Sequence, residues 1–330
     1  MAVPTDTIEV EHLRKTFAKT VALDDVSLTV EQGTVFGVLG PNGAGKTTLI
    51  NCLTTLLRPD SGRATVAGHD VATHPARVRD SIALTGQFAA VDDALTGREN
   101  LVLFGRLLRM RRAAAGAKAD ELLTRFALEE VADRPVSGYS GGMRRRLDLA
   151  ISLVVERPVL ILDEPTTGLD PRSRQELWQV VRDVRAAGTT ILLTTQYLEE
   201  ADRLADRIAV IDSGRVVAEG TAAELKNKVG GRVCEIRTAT AAEATALVET
   251  MSEFRAEIGS DERTVLLHAD DTHALSEIMQ RIDAGGLDPE DVAMRRPTLD
   301  EVFLTLTGGT AEADTAETAG TIPANEGAGR

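Results

Sequence analysis

The sequence predicts an α/β domain built on a largely parallel sheet, followed by a small α+β domain. Three observations lead there. Short apolar runs alternate with helical patterns across residues 8–228, the rhythm of strands covered by helices on both faces. One of these runs leads directly into a glycine-rich stretch and then a helical pattern. After Gly230-Gly231 the order changes to strand, helix, strand, strand, helix, strand, a ferredoxin-like βαββαβ series. With 330 residues, 43% of them hydrophobic, the chain has material for two cores.

Residues 35–39, 159–162, 190–193 and 208–211 are continuous apolar runs and read as strands buried on both faces. A helix is expected over 46–57. Asp170 followed by Pro171 is a strong helix start, an N-cap side chain with proline at the first helical position. Thr221 with Glu224 is a capping-box pattern for a short helix ending near Lys228. The domains are therefore expected at 1–229 and 230–307. In the second, strands are expected at 233–238, 254–258, 264–268 and 292–295, with helices from Thr240 and over 274–284. Thr298 and Glu301 open a last helix, 299–306, with Leu299, Val302, Phe303 and Leu306 on one face that docks back on the protein or meets a partner. Residues 308–330 carry almost no large apolar side chain and are expected to be disordered.

Composition narrows the function. Charged residues, 27% of the chain, interrupt each apolar run long before the ~20 residues of a membrane helix. Residues 1–6 lack a basic region followed by an apolar one, so no secretory leader is expected. Cys52 and Cys234 stand far apart without His or Cys at ligand spacing, which fits a reducing cytoplasm better than a disulfide or metal framework. A net charge of −14 and 3% aromatic residues weigh against nucleic acid as a partner. Asp270, Asp271 and His273 are read as a loop and helix cap rather than a metal site. Arg144, Arg145 and Arg146 are read as a solvated helix face or ion-pair partners rather than a basic patch.

Two motifs carry chemistry. Gly40-Pro41-Asn42-Gly43-Ala44-Gly45-Lys46-Thr47 matches G-x-x-x-x-G-K-[ST] between a strand and a helix. Its glycines let backbone N–H groups surround phosphate oxygens, Lys46 reaches the terminal phosphates, and Thr47 offers a hydroxyl to Mg²⁺. Thr48 is assigned to the same phosphate-binding set. The run at 159–162 ends in Asp163 and Glu164, acids at the carboxyl edge of a parallel sheet where ligands bind. Asp163 is expected to serve Mg²⁺, and Glu164 to polarise the attacking water.

Tyr139-Ser140-Gly141-Gly142-Met143 resembles the signature motif of ABC-type ATPases, with Met143 where that family has glutamine, and it stands between the phosphate loop and the acidic strand end. Gln87 resembles the Q-loop glutamine, Gly168-Leu169-Asp170 the D-loop, and Phe17 the aromatic that stacks on adenine; for Phe17 the residues alone leave core packing open. The resemblance covers nearly all of 8–228. It implies a P-loop NTPase of ABC type with a helical subdomain, using ATP and Mg²⁺, the ion held by Thr47, Gln87 and Asp163. It also implies a homodimer with composite sites: Lys46, Thr47, Gln87, Asp163 and Glu164 of one chain face Ser140, Gly141 and Gly142 of the other. Asp170 joins the nucleotide-binding set.

One position departs from the family. Where a histidine is usual after the strand at 190–193, the chain has Gln196, an amide that can donate a hydrogen bond but cannot carry a proton. Either Gln196 still orients the γ-phosphate and water with slower turnover, or hydrolysis is impaired; the first is favoured, because Glu164 and Mg²⁺ supply most of what phosphoryl transfer needs. Gln196, the run from Tyr139 to Asp148 and the closing Leu299-Asp300-Glu301-Val302-Phe303-Leu304 together resemble the daunorubicin/doxorubicin-resistance ATP-binding subunits of actinobacterial exporters. This implies a partner, a separately encoded polytopic permease at the plasma membrane, with the ATPase on its cytoplasmic face powering efflux of a drug, secondary metabolite or lipid. A soluble ABC-type ATPase acting on nucleic acid or ribosomes, and an importer ATPase, are the competing readings.

Overall fold

The structure is a computed structural model that describes residues 6–86, 91–228 and, with short gaps, 232–306. It divides into two compact units, Met1–Leu225 and Lys226–Arg330. In chain order the larger unit runs β1 (Asp6–Phe17), β2 (Thr20–Glu31), β3 (Val35–Leu39), α1 (Lys46–Leu53), β4 (Ser61–Val66), β5 (His69–Asp70), α2 (Pro75–Ser81), β6 (Ile82–Thr85), α3 (Gly97–Leu107), α4 (Arg112–Arg125), α5 (Gly141–Ser152), β7 (Val159–Asp163), α6 (Pro171–Ala186), β8 (Thr190–Thr195), α7 (Leu198–Leu204), β9 (Arg207–Asp212) and β10 (Arg215–Gly220).

The main sheet has the order β10-β9-β3-β8-β7-β6 and is parallel except for the β10 edge. Every residue of β3, β7 and β8 is buried, which is why these segments read as unbroken apolar runs. Register brings the carboxyl ends level: Leu39 lies opposite Thr195, and Asp163 opposite Thr194. A second, antiparallel sheet of order β2-β1-β4-β5 was not legible as such. Its inward side chains, Ile8, Val10 and Leu28, join Val38, Leu49 and Ile161 in one core. The second core holds Leu147 and Ala150 of α5, Leu177 and Val181 of α6, and Leu101, Leu122 and Phe126 of the helical segment. α3 opens on a full capping box between Thr96 and Glu99.

The helix expected over 46–57 stops at Leu53. Thr54 turns its hydroxyl back to donate to the Ile50 carbonyl at 2.8 Å, and Thr55 takes the left-handed conformation at φ 66°, so two adjacent β-branched residues end the helix.

After α8 (Ala222–Lys228) the smaller unit comprises β11 (Arg232–Arg237), α9 (Ala241–Thr250), β12 (Glu257–Ile258), β13 (Thr264–Ala269), α10 (Thr272–Gly285), β14 (Asp291–Arg295) and α11 (Leu299–Leu306). Its antiparallel order β12-β13-β11-β14 is the ferredoxin-like arrangement. Cys234, Ile236, Leu247, Val265 and Ile278 form its core. The strand expected over 254–258 shortens to Glu257–Ile258, because Ser252–Phe254 coils into a 3₁₀ turn. The capping boxes at Thr221/Glu224 and Thr298/Glu301 are both formed. Leu299 and Val302 are buried, and Arg295 clamps Glu301 at 2.7 Å and Glu235 at 2.9 Å.

Gln87, Asp270, Asp271 and residues 308–330 lie outside the described residues. Among the described residues no helix is long and apolar enough to cross a membrane, and no cluster of His, Cys, Asp and Glu forms a metal site. Cys52 and Cys234 are both buried free thiols.

Candidate nucleotide site

The phosphate loop connects β3 to α1. Gly45 sits at φ 107°, and a side chain there would lie 2.5 Å from the Ala22 carbonyl oxygen, so only glycine can make this turn. No side chain caps α1, which leaves its first N–H groups for an anion. Asn42, Gly43, Gly45, Lys46, Thr47, Thr48 and Glu164 line a cavity of about 220 Å³. The Lys46 ammonium donates to the carbonyls of Gly40 at 2.7 Å and Pro41 at 3.0 Å, and pairs with Glu164 Oε1 at 3.2 Å. Both side chains are almost fully buried, 4% and 6% exposed, so the pair is little screened by solvent. A phosphate entering the cavity meets an ammonium whose present partners are two loop carbonyls and one carboxylate.

At the end of β7, the Thr194 hydroxyl donates to Asp163 Oδ1 at 2.6 Å and accepts the Glu164 N–H at 3.1 Å. The same N–H reaches the Thr194 carbonyl, also at 3.1 Å. Glu164 takes φ 47° immediately before Pro165, a left-handed conformation costing about 1–2 kcal/mol for a residue with a side chain. This kink separates the two acids: Asp163 ends the strand, and Glu164 turns toward Lys46. Strain concentrated at this position is the kind that surrounding structure must hold in place.

The signature segment begins α5. Ser140 is its N-cap, accepting the Met143 N–H at 3.3 Å, so its own proton remains available to a second acceptor. A side chain at Gly142 would lie 2.3 Å from Ser173 Oγ, and that hydroxyl donates to Asp170 at 2.6 Å. Asp170 caps α6 through the Ser173 N–H at 3.0 Å, with Pro171 at the first helical position. Signature and D-loop therefore share one serine, and the hydrogen bonds from Ser173 hold the Asp170 carboxyl below its ordinary range.

A family model described as "ABC transporter" matches residues 23–167, and one described as "ATP-binding protein DrrA1-3-like, C-terminal domain" matches residues 220–307. The daunorubicin resistance ATP-binding protein DrrA3 of Streptomyces coeruleorubidus is 54% identical over 302 residues, covering 91% of this chain and 96% of that protein. The chain belongs to the daunorubicin/doxorubicin-resistance family of ABC transporter ATP-binding proteins. The doxorubicin resistance ATP-binding protein DrrA of Mycobacterium tuberculosis is 51% identical, covering 91% of this chain and 93% of that one. The Nod factor export ATP-binding protein I of Ralstonia nicotianae is 38% identical, covering 92% and 94%. Among solved structures, CbiO1 of Clostridium perfringens, part of the ABC transporter complex CbiONQ, aligns with TM-score 0.62 at 27% identity, covering 68% of this chain and 94% of that one. The chain is an ABC-type ATPase.

In this ABC ATPase, Gln196 follows Thr195 at the end of β8, level with the start of the phosphate loop, and is half-buried. Behind it, Glu200 is fully buried and accepts the Trp178 Nε1–H at 3.1 Å. Burial pushes the Glu200 carboxyl above its ordinary range, against the polar groups of Thr195, Trp178 and Thr166 around it, which pull it down. Phe17 is 43% exposed at the end of β1, with Lys15 over its ring, and so is not part of the core. Of the two expectations for the arginine run, a solvated face or ion-pair partners, the structure shows the second: Arg144 pairs with Asp93, Arg146 with Glu176, and Arg145, which is buried, with Asp148. Thr194 was missed in the sequence, where a polar residue closing an apolar strand was the only signal, and Arg145 was named there without its bonds to the Asp163, Pro165 and Gly86 carbonyls.

Proposed function

We propose that the chain works as a homodimer on the cytoplasmic face of the plasma membrane, coupling ATP hydrolysis to a separate polytopic permease that expels a drug, secondary metabolite or lipid. The observation that carries the reading is the meeting of Lys46 and Glu164 at 3.2 Å beside the phosphate loop, with Asp163 held by Thr194 on the same strand end. The export reading is supported by the resistance and export functions in the names of the relatives.

In this reading the loop N–H groups and Lys46 bind the ATP phosphates. Thr47 and Asp163, with Gln87, offer hard oxygen donors suited to Mg²⁺, whose contribution when bound is to neutralise charge on the phosphate oxygens. Glu164 orients the attacking water and takes its proton. Gln196 donates an amide hydrogen bond to the γ-phosphate. Ser140, Gly141 and Gly142 of the second copy close the site with a hydroxyl and N–H groups at a helix start, Asp170 shapes that junction, and Phe17 stacks on the adenine.

The test is steady-state ATPase activity with Mg²⁺ as a function of protein concentration, with Glu164→Gln alongside. Specific activity should rise with concentration and vanish in the variant, which should remain an ATP-bound dimer. Concentration-independent activity would remove the composite site, and an active variant would remove Glu164 from its role. Purification from membranes should bring down a polytopic membrane protein; bound nucleic acid in its place would favour the competing reading.

A further inference from the structure

We infer that Arg145 is a positioning residue for ATP hydrolysis, its guanidinium tying the signature helix to the backbone on both sides of Glu164 and to the residue before Gln87. The inference rests on Glu164 as the group that takes the proton of the attacking water.

Arg145 lies on α5, five positions after Ser140, and is only 9% exposed. Its Nε donates to the Pro165 carbonyl at 2.7 Å and Nη2 to the Asp163 carbonyl at 3.3 Å, the carbonyls of the residues after and before Glu164. Nη1 donates to the Gly86 carbonyl at 2.7 Å and to Asp148 Oδ2 at 3.3 Å. One side chain thus spans three segments: the start of α5, the end of β7 and the end of β6. Removing the charge from water is opposed by burial and offset by the carboxylates of Asp148, Asp163 and Glu200.

The acceptors explain the residue type. Guanidinium carries five N–H donors in a rigid plane and can serve carbonyls in separate directions, whereas a lysine ammonium is a single point on a flexible stem. They also locate the effect. Glu164 takes φ 47° between the two residues whose carbonyls Arg145 grips; the Asp163 carbonyl lies in the peptide plane that ends on the Glu164 N–H, so releasing it lets that plane, and the carboxylate beyond it, turn. Because Ser140 caps α5, Arg145 links the signature helix directly to the backbone around Glu164. Among the described residues, none of these Arg145 hydrogen bonds is to the phosphate loop, so nucleotide binding is expected to survive its loss.

The experiment compares the full-length wild type with Arg145→Lys, Arg145→Met and Glu164→Gln, measuring kcat and KM for ATP, nucleotide affinity, and persistence of the ATP-bound dimer. Expected are kcat values reduced roughly 10- to 100-fold in Arg145→Lys, and further in Arg145→Met, with KM and affinity changed by no more than about 3-fold. Both variants should hold the ATP-bound dimer as Glu164→Gln does, a readout that simple loss of folding does not produce. Wild-type kcat in folded Arg145→Lys and Arg145→Met, or a rise in KM with kcat intact, would overturn the proposal. Failure of both variants to fold would also overturn it, by giving the guanidinium a role in stability instead. An active Glu164→Gln, or a wild type that never leaves the ATP-bound dimer, would strike the underlying reading of hydrolysis and not Arg145 alone.

Discussion

Replacing Thr194 by valine isolates the hydroxyl that organises the two acids. Thr194 is fully buried in β8, and valine keeps its shape and strand preference while removing the oxygen. Three hydrogen bonds are lost: the donation to Asp163 Oδ1 at 2.6 Å, a long one to the Leu162 carbonyl at 3.5 Å, and the acceptance of the Glu164 N–H at 3.1 Å. The N–H keeps the Thr194 carbonyl at 3.1 Å, so only the carboxylate is left short of a partner. A hydrogen bond to a charged group is worth about 1.5–3 kcal/mol, which places the loss near 2 kcal/mol. For a unit of this size that corresponds to a fall of about 4–8 °C in Tm. If the same 2 kcal/mol is expressed in the transition state, ATP turnover falls roughly 30-fold. Thr194→Ser keeps the hydroxyl and gives up one methyl, about 1 kcal/mol, with turnover within about threefold of wild type. Thermal unfolding and steady-state ATPase measured on both variants check this. A valine variant that melts with the wild type and hydrolyses ATP at the wild-type rate would refute the account of the strand end.

Lys46→Ala should abolish ATP binding measured by a fluorescent analogue; retained affinity would sink the phosphate-loop assignment. Gln196→His should leave ATPase activity equal or higher, since imidazole can donate the same hydrogen bond, and a large loss would show that the amide has a role no imidazole fills. For Glu200 the sign follows from its raised pKa. Folding favours the protonated carboxyl, so this group's contribution is full below its ordinary value of 4.5 and is lost as pH rises through the higher folded value. Glu200→Gln carries no such loss. Its stability relative to wild type should therefore grow with pH above about 4.5, and parallel unfolding profiles from pH 4 to 8 would remove the buried-carboxyl argument.

What the sequence disclosed depended on whether a demand was local. The phosphate loop, the Asp170-Pro171 helix start and the capping boxes at Thr221 and Thr298 are each satisfied within a few residues, and all appear in the structure. The strands at the site were legible because they are buried on both faces. The antiparallel sheet of β1, β2, β4 and β5 was not: β1 joins β4 across a long intervening stretch, Ile8 to Val66, and the β1–β2 hairpin, although local, has a register interrupted by several shifts. Arg145 illustrates the same limit at the site. Between Arg144 and Arg146 its residue type is uninformative, and its role follows from acceptors 18, 20 and 59 positions away. Thr55 shows a smaller failure, where helical periodicity continued past a residue that the backbone turned left-handed.

Trp178, whose indole N–H rests on Glu200, is the single tryptophan of the chain, and both tyrosines, Tyr139 and Tyr197, belong to the same larger unit. The smaller unit contributes neither indole nor phenol, so the intrinsic fluorescence of the whole chain is a signal from the nucleotide-binding unit alone. The fluorophore donates its N–H to a buried carboxyl, so a change at that contact alters its immediate surroundings. A melt followed by emission and one followed by backbone ellipticity will diverge whenever the two units unfold separately, with no label attached to either.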